Sequence, residues 1–250
     1  MKVGSLGFAG SGKTTYLGAL TLSLLQGDTT SDLVLFSFES VETARDLTQF
    51  ADRIQKGSWP ARTDSSKVAE YALRLRRGEL VFSLRIPELP GELLEEVWRT
   101  DHIPASLAFL ASYDAWLVLV DPLVQDPERA AAHHVHLLQG LKRARGWKRS
   151  EMASEPLGVV LTKWDALDPE DQARGPEAWL QETFPLLDVF LRSNFTRRAA
   201  FAASAVGAVD AAGTPLLQAE RIRPRGVFRP LEWVADQLQL ARGGPAPARR

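Results

Sequence analysis

Three glycines within six residues, then a lysine and two threonines, form the most constraining stretch of the chain: Gly7-Phe8-Ala9-Gly10-Ser11-Gly12-Lys13-Thr14-Thr15. The short apolar run Val3–Phe8 enters this turn. Lys13–Leu25 leaves it with apolar residues on nearly every face, the pattern of a helix packed deep against a sheet. Between a strand and a helix, G-x-x-x-x-G-K-[ST] has a definite physical meaning. Glycines let the backbone curl, so that N–H groups from Ala9 to Thr15 point inward at phosphate oxygens. The helix beginning there adds the positive end of its dipole. Lys13 is then placed for the β- and γ-phosphates of a nucleotide, and the Thr14 hydroxyl for Mg²⁺. Four fixed positions recur by accident in roughly 1 % of chains this long, so the strand-to-helix context decides in favour of phosphate binding.

The rest of the chain reads as an α/β protein. Leu33–Phe38 is a predicted strand, and Ser40–Lys56 a helix stopped by Gly57. Tyr71–Arg76 and Leu80–Ile86 form a hairpin across Arg77-Gly78-Glu79. Ala115–Val120 (AWLVLV) and Leu157–Thr162 (LGVVLT) are continuous apolar runs, as in strands buried on both faces of a parallel sheet. Asp126-Pro127 opens a helix that runs to about Arg145, and Asp168-Pro169-Glu170 repeats the signal. Ala199–Ala203 is a last strand and Leu231–Leu240 a closing amphipathic helix. The expected fold is a three-layer sandwich, mostly parallel, with one antiparallel hairpin strand.

Composition narrows the chemistry. The absence of cysteine excludes thiol catalysis, disulfides and cysteine-zinc sites, and suits a reducing compartment. Thirty basic against 31 acidic residues argue against a nucleic-acid-coating protein. No apolar run approaches the ~20 residues of a membrane span. The amino terminus enters structured-looking sequence directly, without a signal peptide. A cytoplasmic protein with no integral membrane segment is expected.

A second motif selects among nucleotide-binding proteins. Strand LGVVLT runs into Thr162-Lys163-Trp164-Asp165, which resembles the [NT]-K-x-D element of Ras-like GTPases. The resemblance implies that Asp165 accepts hydrogen bonds from the guanine N1–H and exocyclic amine, with the Lys163 stem along the base. Adenine presents the opposite pattern and would leave the carboxylate unpaired. Thr162 replaces the commoner asparagine. Strand Leu80–Ile86 leads into Glu88-Leu89-Pro90-Gly91-Glu92, which resembles the family's D-x-x-G. Glu88 takes the place of the acid that holds a metal-bound water, one methylene longer. Gly91 takes that of the glycine meeting the γ-phosphate. Glu92 stands where many relatives carry the glutamine that orients the attacking water. Trp59-Pro60-Ala61-Arg62-Thr63 precedes the hairpin, where a first switch loop would supply Thr63 to Mg²⁺, with Ser65 and Ser66 as alternatives. Ala203-Ser204-Ala205 resembles the short S-A element that lines the guanine, through Ser204 and Ala205.

These elements occur in the order of a bacterial Ras-like GTPase of the translation-factor-related class. GFAGSGKTTYLGAL, G-x-W-P-x-x-T, P-G-E and LTKWD together resemble the double-GTPase family. The resemblance implies GTP and GDP as ligands, Mg²⁺ as cofactor and slow hydrolysis signalled through two switch loops. It implies a protein effector or regulator as partner, a second GTPase among the candidates. Residues 1–241 would form the GTPase domain, with 31–57 an extra strand and helix before the first switch, and 242–250 a disordered tail. Catalytic roles fall on Lys13 and Glu92. Two other readings stay open: a guanine-nucleotide scaffold without hydrolysis, and a P-loop ATPase or kinase.

Other features carry less. His133, His134 and His136 lack the i, i+4 spacing of a helical metal site and are expected on a partly exposed helix face. Lys142, Arg143, Arg145, Lys148 and Arg149 form a basic run at a predicted helix end, complementing its dipole, with a site for a phosphate-rich partner as the alternative. Arg62 is expected as a solvated loop residue, with an internal arginine finger as the alternative. The seven tryptophans read as packing anchors.

Overall fold

The computed structural model describes residues 1–28, 30–59, 69–88, 105–148, 150–207 and 222–243. Its strands are β1 (Lys2–Leu6), β2 (Leu33–Phe38), β3 (Ala69–Arg77), β4 (Leu80–Glu88), β5 (Ala115–Val120), β6 (Leu157–Leu161) and β7 (Arg198–Ala202). They form a single sheet in the order β2-β3-β4-β1-β5-β6-β7. β3 is antiparallel to both of its neighbours, β2 and β4, and the remaining pairs are parallel. The helices are α1 (Lys13–Leu25), α2 (Val41–Gln55), α3 (Pro127–Ala144), α4 (Pro169–Arg174), α5 (Pro176–Thr183), α6 (Pro185–Asn194) and α7 (Arg229–Ala241). This is a three-layer P-loop α/β fold of the Ras-like kind, with β2 added outside the β3–β4 hairpin.

Alternation along β5 shows why its six residues are all apolar. Ala115, Leu117 and Leu119 enter the core shared with α1, α2 and α7, while Trp116, Val118 and Val120 enter the core under α3, α5 and α6. Each face is closed, so neither can be polar. α1 is covered twice, by the sheet and by α2. A Cβ at Gly18 would lie 2.8 Å from Ile54 Cδ1, so glycine is what allows the two helices to approach this closely.

Local signals set most boundaries. The Ser40 hydroxyl accepts from the Thr43 N–H at 3.0 Å and opens α2, and Gly57 takes φ +72° after its end. The Asp126 carboxylate accepts from the Arg129 N–H at 2.9 Å, and Pro127 is the first residue of α3. Gly78 takes φ +56° as the first of two residues linking β3 to β4, the place where a tight hairpin needs a positive φ. Asp168 departs from expectation: no side-chain cap forms at α4. Proline instead starts three short helices in succession, at Pro169, Pro176 and Pro185.

The basic run lies at the end of α3 as expected, with Arg143 and Lys148 exposed, but two of its members pack inward. The Lys142 ammonium is buried and donates to the Glu151 carbonyl at 2.6 Å and to Asn194 Oδ1 at 2.7 Å. The Arg145 guanidinium lies over the Trp116 and Trp147 rings at 5.3 and 5.2 Å and pairs with Glu155. Trp164 and Trp179 meet edge to face, and Trp233 packs on Phe201. Trp59 is exposed, unlike an anchor, and Trp98 lies outside the described residues. No helix among the described residues is long and apolar enough to cross a membrane.

Candidate functional site

The strand order reverses direction around β1, which lies between β4 and β5. In such sheets a crevice opens beyond the carboxyl ends of the strands at this point. The glycine loop occupies it. Gly10 and Gly12 hold φ of +81° and +79°, conformations costly for any residue with a Cβ. A Cβ on Gly7 would fall 2.4 Å from Ser11 Oγ and 2.8 Å from the Leu119 carbonyl, so the loop is also tight at its base. α1 begins with Gly12 in the left-handed region, without a side-chain cap and without an acid in its first turn. No side chain there offsets the positive end of the helix dipole. Ala9 and Gly10 are exposed at the crest, and Thr14 and Thr15 are half-buried in the first helical turn. The Lys13 ammonium curls back over the loop and donates to the carbonyls of Gly7 at 2.6 Å and Phe8 at 3.0 Å.

The base-side turn lies against this loop. The Thr162 hydroxyl donates to the Ser11 carbonyl at 2.9 Å and to the Val120 carbonyl at 3.2 Å. It thus braces the phosphate loop. Lys163 has φ +51°, the only positive φ at a non-glycine residue among those described. Such backbone outliers cluster at functional sites. The Trp164 N–H donates to the Ala203 carbonyl at 3.2 Å, joining this turn to Ser204-Ala205. The Ser204 hydroxyl accepts from the Gly207 N–H at 2.8 Å, and its backbone bridges to Arg225, so Ser204 shapes the loop. Asp165 Oδ2 is buried without a hydrogen-bond partner. A carboxylate oxygen in that state is costly unless a ligand donates to it. The donor set therefore fits a purine nucleotide: N–H groups and an ammonium at one end, an unsatisfied acceptor at the other.

β4 approaches from the opposite side. It pairs in parallel with β1, Gly4 opposite Arg85, and ends at Glu88, whose backbone partner is Ala69 of β3. Thr63, with Ser65 and Ser66, and Gly91 and Glu92 lie outside the described residues, as does Arg62.

Two features of the site carry no motif signal. Asp121, immediately after β5, pairs with Lys163 at 2.5 Å. An acid at the carboxyl end of a central strand is the only hint the sequence offers. The second corrects an expectation. His134 is buried rather than on an exposed face, its Nδ1 bonded to the Ala130 carbonyl at 2.7 Å and its ring edge-on to Phe8 at 4.8 Å. The His133 ring also packs on Phe8, tilted, at 5.5 Å. Burial pushes the His134 imidazole down to about 4, with the charges of His133 and Lys13 adding to the effect. His133 and His134 thus pack against Phe8 of the glycine-rich loop.

Among curated proteins, none matches the sequence. Among solved structures, the Arl6 BBS3 small GTPase from Trypanosoma brucei, with bound nucleotide analogue GppNp, matches at 14 % identity. That match covers 97 % of this chain and 98 % of the other at a TM-score of 0.43. The family model described as Double-GTPase 1 matches residues 5–132 and 124–210. With its phosphate loop and base-side turn in place, the chain belongs to the Double-GTPase 1 family of GTP-binding P-loop proteins.

Proposed function

We propose that the protein is a guanine-nucleotide switch that binds GTP and GDP with Mg²⁺ and hydrolyses GTP slowly. The observation that carries this reading is the buried, unpartnered Asp165 Oδ2 at the end of a turn braced to the phosphate loop. Guanine would satisfy that oxygen with an N–H donor, and adenine would not. Lys13 and the N–H groups of Ala9 to Thr15 would hold the phosphates. Thr14, Thr63 and Glu88 would hold Mg²⁺, whose role when bound is to neutralise charge between the β- and γ-phosphates. Gly91 would meet the γ-phosphate and Glu92 would orient water. As an acid beside a triphosphate, Glu92 would be a poor substitute for a neutral amide, which is why slow turnover is expected. Thr63 and Gly91 would reorder between nucleotide states and present the change to a protein effector or regulator. A second GTPase is the partner that the family's description suggests.

The test compares affinities for GDP and ADP carrying the same fluorescent label, then single-turnover hydrolysis of GTP with and without Mg²⁺. Guanine preference with measurable Mg²⁺-dependent turnover supports the switch. Equal affinity for the two labels overturns the base assignment. Tight guanine binding without turnover favours the scaffold reading, which Glu88 in place of the shorter acid and Glu92 in place of the water-orienting glutamine keep open.

A further inference from the structure

Asp121 has both carboxylate oxygens committed. Oδ1 accepts the Leu123 N–H at 3.0 Å, and Oδ2 accepts the Lys163 ammonium at 2.5 Å. The first contact fixes the carboxylate on its own turn, and the second uses it. The preceding residue contributes as well: the Val120 carbonyl accepts from the Thr162 N–H at 3.0 Å and from its hydroxyl at 3.2 Å. Val120 and Asp121 therefore hold Thr162 and Lys163 as a unit, through two adjacent carbonyl and carboxylate groups at the end of β5.

Lys163 needs such an anchor. Its backbone is in the left-handed region, and its side chain is 41 % exposed, against 16 % for that of Asp121. A half-exposed lysine stem is otherwise among the most mobile side chains, and ordering it on ligand binding weakens affinity. Here the stem is held at both ends, its ammonium by Asp121 and its backbone by the neighbouring bonds of Thr162 and Trp164. The arrangement exists before any base arrives, which is pre-organisation. The charge balance agrees. A lone carboxylate next to a loop built for phosphates would repel the ligand, whereas a carboxylate paired with Lys163 does not.

We infer that Asp121 is a positioning residue for the nucleotide site, holding Lys163 as a fixed wall of the purine slot. It sets how long a nucleotide stays bound without choosing the base, which falls to Asp165. This inference rests on the guanine-nucleotide reading above. Asp121 itself touches no ligand in this scheme and acts entirely through Lys163.

The experiment measures release of fluorescently labelled GDP and IDP, whose base lacks the exocyclic amine, from wild type, Asp121→Asn, Asp121→Glu, Lys163→Met and Asp121→Asn/Lys163→Met. Asp121→Asn should speed release of both nucleotides about tenfold, the low end for a close charge pair, and leave the GDP-to-IDP ratio unchanged. Asp121→Glu, which keeps the charge, should recover most of the loss. The double variant should release no faster than Lys163→Met alone, because the two residues act as one unit. Wild-type release from Asp121→Asn overturns the assignment. So does multiplication of the two single effects in the double variant, or a change in the GDP-to-IDP ratio. If Asp121→Asn fails to fold, wild-type release from Lys163→Met overturns the inference, and accelerated release from Lys163→Met with near wild-type release from Asp121→Glu supports it. A wild type that retains neither nucleotide overturns the guanine reading itself, an outcome distinct from all of these.

Discussion

The Thr162 hydroxyl reaches the Ser11 carbonyl at 2.9 Å, a bond across 151 positions of sequence that ties the base-side turn to the phosphate loop. The side chain that stands in place of the motif's commoner asparagine braces the glycine-rich loop. Removing the hydroxyl should therefore be felt at both ends of the nucleotide. Thr162→Val keeps the shape and deletes the donor. It should cost on the order of 1–2 kcal/mol of stability, as for a buried hydrogen bond. Labelled GDP should bind roughly ten times more weakly. Urea denaturation and a binding titration would measure the two quantities. An unchanged affinity would show that the brace does not act on the site.

Asp165→Asn tests base choice directly. The carboxylate oxygen Oδ2 is buried without a partner, so the wild type carries a cost that a guanine donor, on the proposed function, would remove. An amide there can donate as well as accept. Guanine preference should fall by at least tenfold, the scale of one hydrogen bond to a charged group, and xanthine nucleotides should gain, because their C2 carbonyl accepts the new donor. Titrating GDP and XDP against both proteins decides it. A variant with unchanged preference would remove Asp165 from the base site.

Which of these relationships could be read from residues alone depends on how local their causes are. The phosphate loop was legible because each glycine answers a local need: positive φ at Gly10 and Gly12, space at Gly7. β5 and β6 were legible because two closed faces leave no polar position. The three short helices from Pro169 to Asn194 were only partly so, since each is too short to show a full amphipathic period. The basic run was read correctly as a helix end, but the packing of two of its members was not legible, for a tertiary reason. Lys142 and Arg145 are three apart, so both turn inward together, and only the fold supplies Asn194, Trp116 and Trp147 to receive them. Asp121 with Lys163, 42 positions apart, depends wholly on strand order.

His134 makes stability depend on pH with a definite sign. Burial lowers its folded value from 6.5 to about 4, and the nearby charges of His133 and Lys13 act in the same direction. Above pH 6.5 both folded and unfolded forms are neutral, and the full stability is present. Between pH 6.5 and 4 the unfolded chain takes up a proton that the native state refuses, so stability falls as pH falls. The total loss is on the order of 3 kcal/mol, from about 1.4 kcal/mol per pH unit. Below pH 4 this group contributes no further change. Urea denaturation at pH 7 and pH 5 should show a smaller drop for His134→Leu than for wild type. Equal drops would assign the pH dependence elsewhere.

Gly4 and Tyr113 supply a test of the scaffold beneath the site. Gly4 lies mid-strand in β1, paired with Arg85 of β4 and Trp116 of β5, two residues before the strand ends at Leu6. A Cβ at Gly4 would sit 2.0 Å from Tyr113 Cδ2 and 2.4 Å from Cε2. The ring cannot swing aside cheaply. It is buried, and its hydroxyl donates to Glu70 Oε1 at 2.9 Å, while Glu70 is also paired with Arg85. Burial, and then the Glu70 carboxylate, keep the phenol protonated as this donor. Gly4→Ala must therefore either break that bond or shift the strand that carries the phosphate loop. Overpacking of this kind costs about 1–3 kcal/mol, and contact with a ring held at both ends favours the upper part of that range. Tyr113→Ala alone should also destabilise, through lost burial, by about 3 kcal/mol or more. In the double variant the ring and the clash disappear together, so Gly4→Ala should cost little once Tyr113 is alanine. Urea denaturation of the four proteins completes the cycle. Additive losses would mean that Gly4 is required for some reason other than the Tyr113 ring.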